Sequence, residues 1–470
     1  MKVSIQNLGA VKQAEIEIKP LTVFVGENGT GKTWAAYALA GILGRVGYSN
    51  FTVSYLHQKL ANPPEFPEIE QAVQQVIEEG TARIDVVEFA EKYLLVFLNA
   101  IAVHARQWLP AFLGTPQSDF SELRFVFKEL SMSLAIGTLM DLPLRQGWAV
   151  GKDNEPKLSL LKSRGERYLY IVTTSSDVQS IMPVSAFREN IIQQVFLLLH
   201  WSVDSNAVSF VVERTALPTL LPNTPDFLQR MDVFANPWSE GMAVPTQNDS
   251  TFVLSSTLQL VSEGKDAIAL QQEDRQSYVR LSQLLEEDVL LGRVSYKQVP
   301  MTNYWELYYD FGKGHPLELR AASSMVKQLA LLVLYLRYLA QKNDVIVIDE
   351  PEMNLHPEAQ ARMTEFLCML VNAGLNVIVT THSSYIVDHL ANLLKAAKSS
   401  DKAELAERFF LKDERAFIAQ DKVSVYQFED GSAHSILDED GYIDWQTFSD
   451  VSERMLRLAD IVEDYQGAVV

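Results

Sequence analysis

The octapeptide GENGTGKT, Gly26 to Thr33, constrains this chain more than any other stretch. It follows an apolar run, LTVFV from Leu21, and opens into WAAYALAGIL, whose apolar residues have helical spacing. Strand, glycine-rich turn and helix in that order make a P-loop. Gly26 and Glu27 lead into the turn, and the backbone N–H groups of Asn28, Gly29, Thr30, Gly31 and Lys32 can wrap a phosphate at the positive end of the helix dipole. Lys32 would bridge the outer phosphates and the Thr33 hydroxyl would take a position on Mg²⁺, so ATP and Mg²⁺ are the expected cofactors.

The second half of the chain supplies what such a loop needs. Val345 to Ile348 is a short, wholly apolar run of the kind buried in a parallel sheet, and it ends in Asp349 and Glu350. Those carboxylates would emerge where ligands bind in open α/β sheets. Asp349 is expected to hold Mg²⁺ directly or through water, and Glu350 to act as the base toward the attacking water. A further apolar run, NVIV from Asn376, ends in Thr380, Thr381 and His382, placing a histidine at the same edge as a sensor of the γ-phosphate. Just ahead of the acidic strand, Ser323, Ser324 and Lys327 open an apolar helix. Their hydroxyls and free N–H groups suit an anion, or serve as an ordinary N-cap.

Composition sets the limits. A chain of 470 residues, 47% hydrophobic and 21% charged, can bury a large core in two or three domains. With 40 basic against 60 acidic residues it carries −20, so a nucleic-acid site would have to be a local basic patch. The single cysteine, Cys368 in EFLCML, excludes an intrachain disulfide and a cysteine-cluster metal site and fits a core thiol in a reducing cytoplasm. The start, MKVSIQNLGAV, lacks a secretory pattern, and runs such as YLLVFLNAIAV fall short of the roughly 20 residues of a membrane span. A cytoplasmic protein without membrane contact is expected.

Along the chain, residues 2 to 25 read as three short strands, with Ile16 and Ile18 alternating with Glu15 and Glu17. Residues 51 to 205 have helical texture with a strand pair around YLYIVTT, and no sustained heptads for a coiled-coil arm. Mixed structure returns beyond, with a strand-like run in AVSFVVERTALP that ends in Glu213 and Arg214, strands in GRVSYKQV and YWELYYDF, and a loop in NPWSEGMAVP.

The order GENGTGKT, AASSM, VIVIDEPEMNLHPE and TTHS resembles the ABC-type ATPases of the SMC, RecF and OLD group. Within it the likeness is to compact bacterial ATPases without long arms, such as the ATPase subunits of the PARIS and Septu anti-phage systems. The resemblance implies an α/β P-loop NTPase with an ABC-type head, an antiparallel strand lobe plus a mainly parallel sheet, interrupted by a large helical insertion. The expected divisions are 1–50 for the first part of the head, 51–205 for the insertion, 206–400 for the second part and 401–470 for a small C-terminal extension. It also implies a head-to-head homodimer, or a ring of dimers, with ATP sandwiched between the P-loop of one copy and the turn Ala322 to Met325 of the other. Asn354 to His356 would be the D-loop at the seam, and His382 the switch histidine.

The chain departs from that pattern at Met325, where the group usually has glycine, which bears on turnover. No glutamine-loop can be assigned, Gln74 and Gln75 suiting an exposed helix face equally well. Glu213 and Arg214 match an acid and arginine pair of these ATPases or a surface ion pair. Asp438, Glu439 and Asp440 read as a solvated charge run rather than the acidic set of a Toprim nuclease. The reading that unites these features is an ATP-hydrolysing, dimerising switch or scaffold that controls a separate effector such as a nuclease in anti-phage defence, triggered by nucleic acid or a phage protein. Its rivals are a DNA-repair or DNA-clamping ATPase, a transporter ATPase and an ATP-binding scaffold with little turnover.

Overall fold

The computed structural model describes residues 1–149, 156–173, 183–203, 207–210, 273–298, 301, 305–312, 316–445 and 457–458. Glu213, Arg214, the NPWSEGMAVP loop and the acidic C-terminal stretch lie outside them.

The P-loop strand is the axis of the main sheet. Strands are numbered in chain order: β1 Lys2–Leu8, β2 Val11–Glu17, β3 Leu21–Val25, β5 Arg124–Glu129, β9 Ala207–Phe210, β13 Val345–Asp349, β14 Asn376–Thr381, β15 Val423–Glu429 and β16 Ser432–Ser435. Among the described residues these nine form one sheet in the order β5-β1-β2-β16-β15-β3-β14-β13-β9. Pairing is antiparallel through β5, β1 and β2, and parallel through β15, β3, β14, β13 and β9. The expected arrangement, an antiparallel lobe joined to a mainly parallel sheet, is therefore present.

Side chains of the central strands alternate between two cores. Phe24, Val347 and Ile378 face one, shared with the helices Lys32–Leu43, Val86–Phe112 and Val184–Val203. Val23, Val25, Ile346, Ile348, Val377 and Val379 face the other, with the helices Ser324–Tyr338, Pro357–Asn372 and Ser384–Ala396. Burial on both faces explains the unbroken apolar runs. Cys368 is fully buried in the second core.

Two stretches take part in the sheet more closely than expected. Beyond residue 401, β15 pairs in parallel with β3, Val425 opposite Val23, and β16 bridges to β2. VSVYQF has six buried residues in succession, a pattern that fits only a central strand. Within 51–205, β5 pairs with β1 and so extends the sheet. The same stretch holds β4 Thr81–Asp85, β6 Leu144–Ala149, β7 Pro156–Lys162 and β8 Tyr168–Thr173, a four-stranded antiparallel sheet against the helices. The strands expected in GRVSYKQV and YWELYYDF are β10 Arg293–Gln298 and β11 Trp305–Asp310, joined by β12 Leu317–Glu318. Among the described residues no helix is long and apolar enough to cross a membrane.

Candidate nucleotide-binding site

The turn after β3 is built on glycine where no side chain fits. At Gly26, with φ of 142°, a Cβ would come within 2.4 Å of the Phe428 carbonyl oxygen of β15. At Gly31, with φ of 97°, it would come within 2.5 Å of Val11. The loop is thus clasped between the antiparallel lobe and β15. Glu27, Asn28 and Gly29 are exposed at its tip, while Thr30 is half-buried and donates to the Glu27 carbonyl at 2.9 Å.

Lys32 opens the helix with its ammonium curled under the loop, donating to Gly26 O at 2.8 Å and Glu27 O at 2.6 Å. Burial pushes this ammonium below the usual lysine range, against the opposing pull of Glu350, Asp349 and Glu352. A partly dehydrated cation held by neutral carbonyls is ready to exchange them for phosphate oxygens.

Parallel register brings the acidic strand to the same edge. Asp349 lies opposite Thr380, and Thr380 opposite Phe24. Asp349 is buried, 1% exposed. Thr33 donates to Oδ1 at 3.0 Å, Tyr37 to Oδ2 at 2.9 Å, and the Thr380 hydroxyl to Oδ1. Two oxygens 3.0 Å apart, those of Thr33 and Asp349, match the roughly 2.9 Å edge of an octahedron whose metal–oxygen distances are about 2.0–2.1 Å. This pair suits Mg²⁺, an ion usually held by one or two protein oxygens together with phosphates and water. Among the described residues no cluster of three or more His, Cys, Asp or Glu could hold a metal.

Past Asp349 the chain turns sharply. Glu350 has a left-handed backbone, φ 46°, held by its amide donating to Thr380 O at 2.9 Å. His382, at the end of β14, puts Nδ1 3.4 Å from Glu350 Oε1 and 3.5 Å from Glu352 Oε1. Glu352 fixes that end of β14, accepting from the Thr381 hydroxyl at 2.7 Å and the His382 amide at 2.9 Å. Lys32, Thr33, Asp349, Glu350 and His382 therefore gather at one sheet edge.

Ser323 and Ser324 are exposed at the start of the helix Ser324–Tyr338, where Ser323 caps it by accepting from the Val326 amide at 3.4 Å. Met325 is half-buried and packs on the second core. From the same helix Gln328 reaches Glu350 O and Asn354, each at 3.5 Å. Asn354 and His356 are exposed, Asn354 with φ of 63°. Gln74 and Gln75 bond to Glu78 and Glu79 one turn along an exposed helix face. Asp438, Glu439 and Asp440 form an exposed turn, Asp438 accepting from the amides of Asp440 and Tyr442.

Two further residues belong to this edge, Tyr37 and Glu352. Tyr37 lies one helical turn beyond Thr33, and that spacing was the available signal. Glu352 is one of several acids in DEPEMNLHPE, and its burial comes with its contacts to the end of β14.

Two segments match family models: residues 1–90 match one described as "AAA ATPase domain", and residues 248–388 one described as "AAA domain, putative AbiEii toxin, Type IV TA system". The Old nuclease of Escherichia phage P2 is 32% identical over 90 residues, 19% of this chain and 15% of the nuclease. The chain's match thus spans well under a fifth of that relative. Three solved SMC heads are also similar. One, bound to the C-winged helix domain of ScpA, is 10% identical with a TM-score of 0.38, covering 93% of this chain and 96% of its own. The Pyrococcus furiosus head with an extended coiled coil is 10% identical, TM-score 0.37, with 98% of each chain covered. The Thermotoga maritima head is 11% identical, TM-score 0.29, with 93% and 97% covered. The matched segments are thus similar to AAA-type ATPase domains and, over 90 residues, to the Old nuclease.

Proposed function

We propose that this chain binds MgATP, hydrolyses it, and in the ATP-bound state joins a second copy of itself as a switch or scaffold that controls a separate effector in anti-phage defence. The observation that carries this reading is the buried Asp349 carboxylate, held by the Thr33 hydroxyl of the P-loop helix beside the ammonium of Lys32. Lys32 and the loop amides would take the phosphate oxygens, and Thr33 and Asp349 would hold the metal. Bound Mg²⁺ neutralises phosphate charge as it develops. Glu350 would orient and polarise water against the γ-phosphate, and His382, beside Glu350, would report the phosphate's presence.

The exposure of Ser323 and Ser324 supports closure by a second copy. A signature turn that faces outward has its use in trans. The defence setting rests on the likeness of segments to an AbiEii toxin domain and to the Old nuclease of a phage. Effector, trigger and the cytoplasmic setting belong to the same proposal.

The test is mass in solution with and without ATP for the wild type and Glu350→Gln. The variant is expected to double in mass with ATP and to hydrolyse it at least about 100-fold more slowly. Hydrolysis at the wild-type rate in Glu350→Gln would overturn the assignment.

A further inference from the structure

The P-loop helix carries a second hydroxyl aimed at the acidic strand. Tyr37 follows Thr33 by four residues, so one face of the helix presents both. They take opposite oxygens of one carboxylate: Thr33 is 3.0 Å from Asp349 Oδ1, and the Tyr37 phenol donates to Oδ2 at 2.9 Å. Thr380, from β14, also donates to Oδ1.

These contacts differ in what they can do once a metal arrives. Thr33 and Asp349 Oδ1 are the oxygens that would turn to the cation, so the hydrogen bond between them is the one to be given up. A carboxylate rotates readily about its terminal torsion. Thr380 acts on the same oxygen that would face the metal, whereas Tyr37 holds the far one. Its phenol is part of a half-buried side chain on a helix whose neighbours Ala35, Ala36 and Ala38 are fully buried. The donor is therefore carried on a fixed support.

We infer that Tyr37 is a positioning residue for the metal, its hydroxyl fixing the Asp349 carboxylate so that Oδ1 faces the Thr33 hydroxyl. This rests on the MgATP reading above. Groups that orient a metal ligand from outside contribute about 10- to 100-fold in metal affinity. A phenol bonded to the far oxygen of a buried carboxylate is such a group.

The experiment titrates Mg²⁺ against binding of a fluorescent ATP analogue, read by anisotropy. Tyr37→Phe keeps the ring and removes the hydroxyl. It should raise the half-saturating Mg²⁺ concentration by about 10-fold or more, with nucleotide affinity in EDTA unchanged. Tyr48→Phe is the control, since the Tyr48 hydroxyl donates to Gln193 O at 3.2 Å, away from the site, and it should behave as wild type. A Tyr37→Phe protein with wild-type Mg²⁺ dependence would overturn the inference. So would one that loses nucleotide affinity equally with and without Mg²⁺, since that would mark a role in packing. A wild type whose nucleotide binding ignores Mg²⁺ would overturn this inference and the proposed function together, whereas the other two results leave the function standing.

Discussion

The Thr33 hydroxyl and Asp349 Oδ1 lie 3.0 Å apart although 316 positions separate them. Register produces this: β13 pairs with β14 and β14 with β3, all parallel, so the residues leaving β3 and β13 emerge together. Asp349→Asn keeps an acceptor for the surrounding hydroxyls and removes the charge. It should fold, bind nucleotide in EDTA as wild type does, and lose the gain from Mg²⁺ by at least about 100-fold, the upper end of what a displaced or weakened ligand costs. Calorimetric titration of MgATP and of ATP in EDTA separates the two, and retention of the Mg²⁺ gain would refute the metal role.

Glu352 gives a pH-dependent prediction. Burial raises its carboxyl above the ordinary 4.5, outweighing the Thr381 hydroxyl and the His382 amide, which favour the charged form. A folded state that holds its proton longer than the unfolded chain is favoured below about pH 4.5 and loses that advantage as pH rises through the folded value. Glu352→Gln cannot ionise and keeps an acceptor for the same donors. Its melting temperature should exceed that of wild type at pH 7.5, with the difference shrinking toward pH 4.5. A lower melting temperature at pH 7.5 would count against this account.

The phosphate loop, the acidic strand and the strand ending at His382 were legible because each depends on a local pattern. Glycines sit where φ is positive or a Cβ would collide, and four- or five-residue apolar runs mark strands buried on both faces. Tyr37 carries only its one-turn spacing from Thr33 as a local signal and Glu352 carries none, since their roles depend on partners hundreds and tens of positions away, Asp349 and Thr381. The place of β15 was hidden for the same reason. KVSVYQF announces a strand, but whether a strand lies at an edge or beside the P-loop is decided by its pairing.

That placement has a cost for truncation. Phe428 is fully buried, its ring centroid 5.0 Å from that of Phe24 on the P-loop strand. Phe428→Ala should lose about 3–5 kcal/mol of stability, and ATP affinity should fall as well because Gly26 rests on the Phe428 backbone. A chain ending at residue 400 would leave β3 with an unpaired edge and should aggregate. Soluble, nucleotide-binding protein from such a chain, judged by sedimentation and anisotropy, would contradict this.

His200 supplies an acid-labile point in the helical stretch. It is stacked on Tyr48, ring centroids 4.9 Å apart, and its Nε2 has no hydrogen-bond partner among the described residues. Burial, reinforced by Arg45, lowers its pKa from 6.5 to about 3. Below pH 6.5 the unfolded chain therefore takes up a proton that the folded protein refuses, and stability present above that value is lost as pH falls toward the folded value. A single such proton is worth about 1.4 kcal/mol per pH unit, or roughly 2 kcal/mol between pH 6.5 and 5. His200→Phe keeps a ring against Tyr48, removes the unpartnered nitrogen and does not titrate. Urea unfolding at pH 7.5 and pH 5 should show the variant losing about 2 kcal/mol less than wild type over that interval. Equal losses in the two proteins would mean that His200 gains its proton without opening the fold, and that the packing between the helices Arg45–Leu56 and Val184–Val203 gives way more easily than its burial implies.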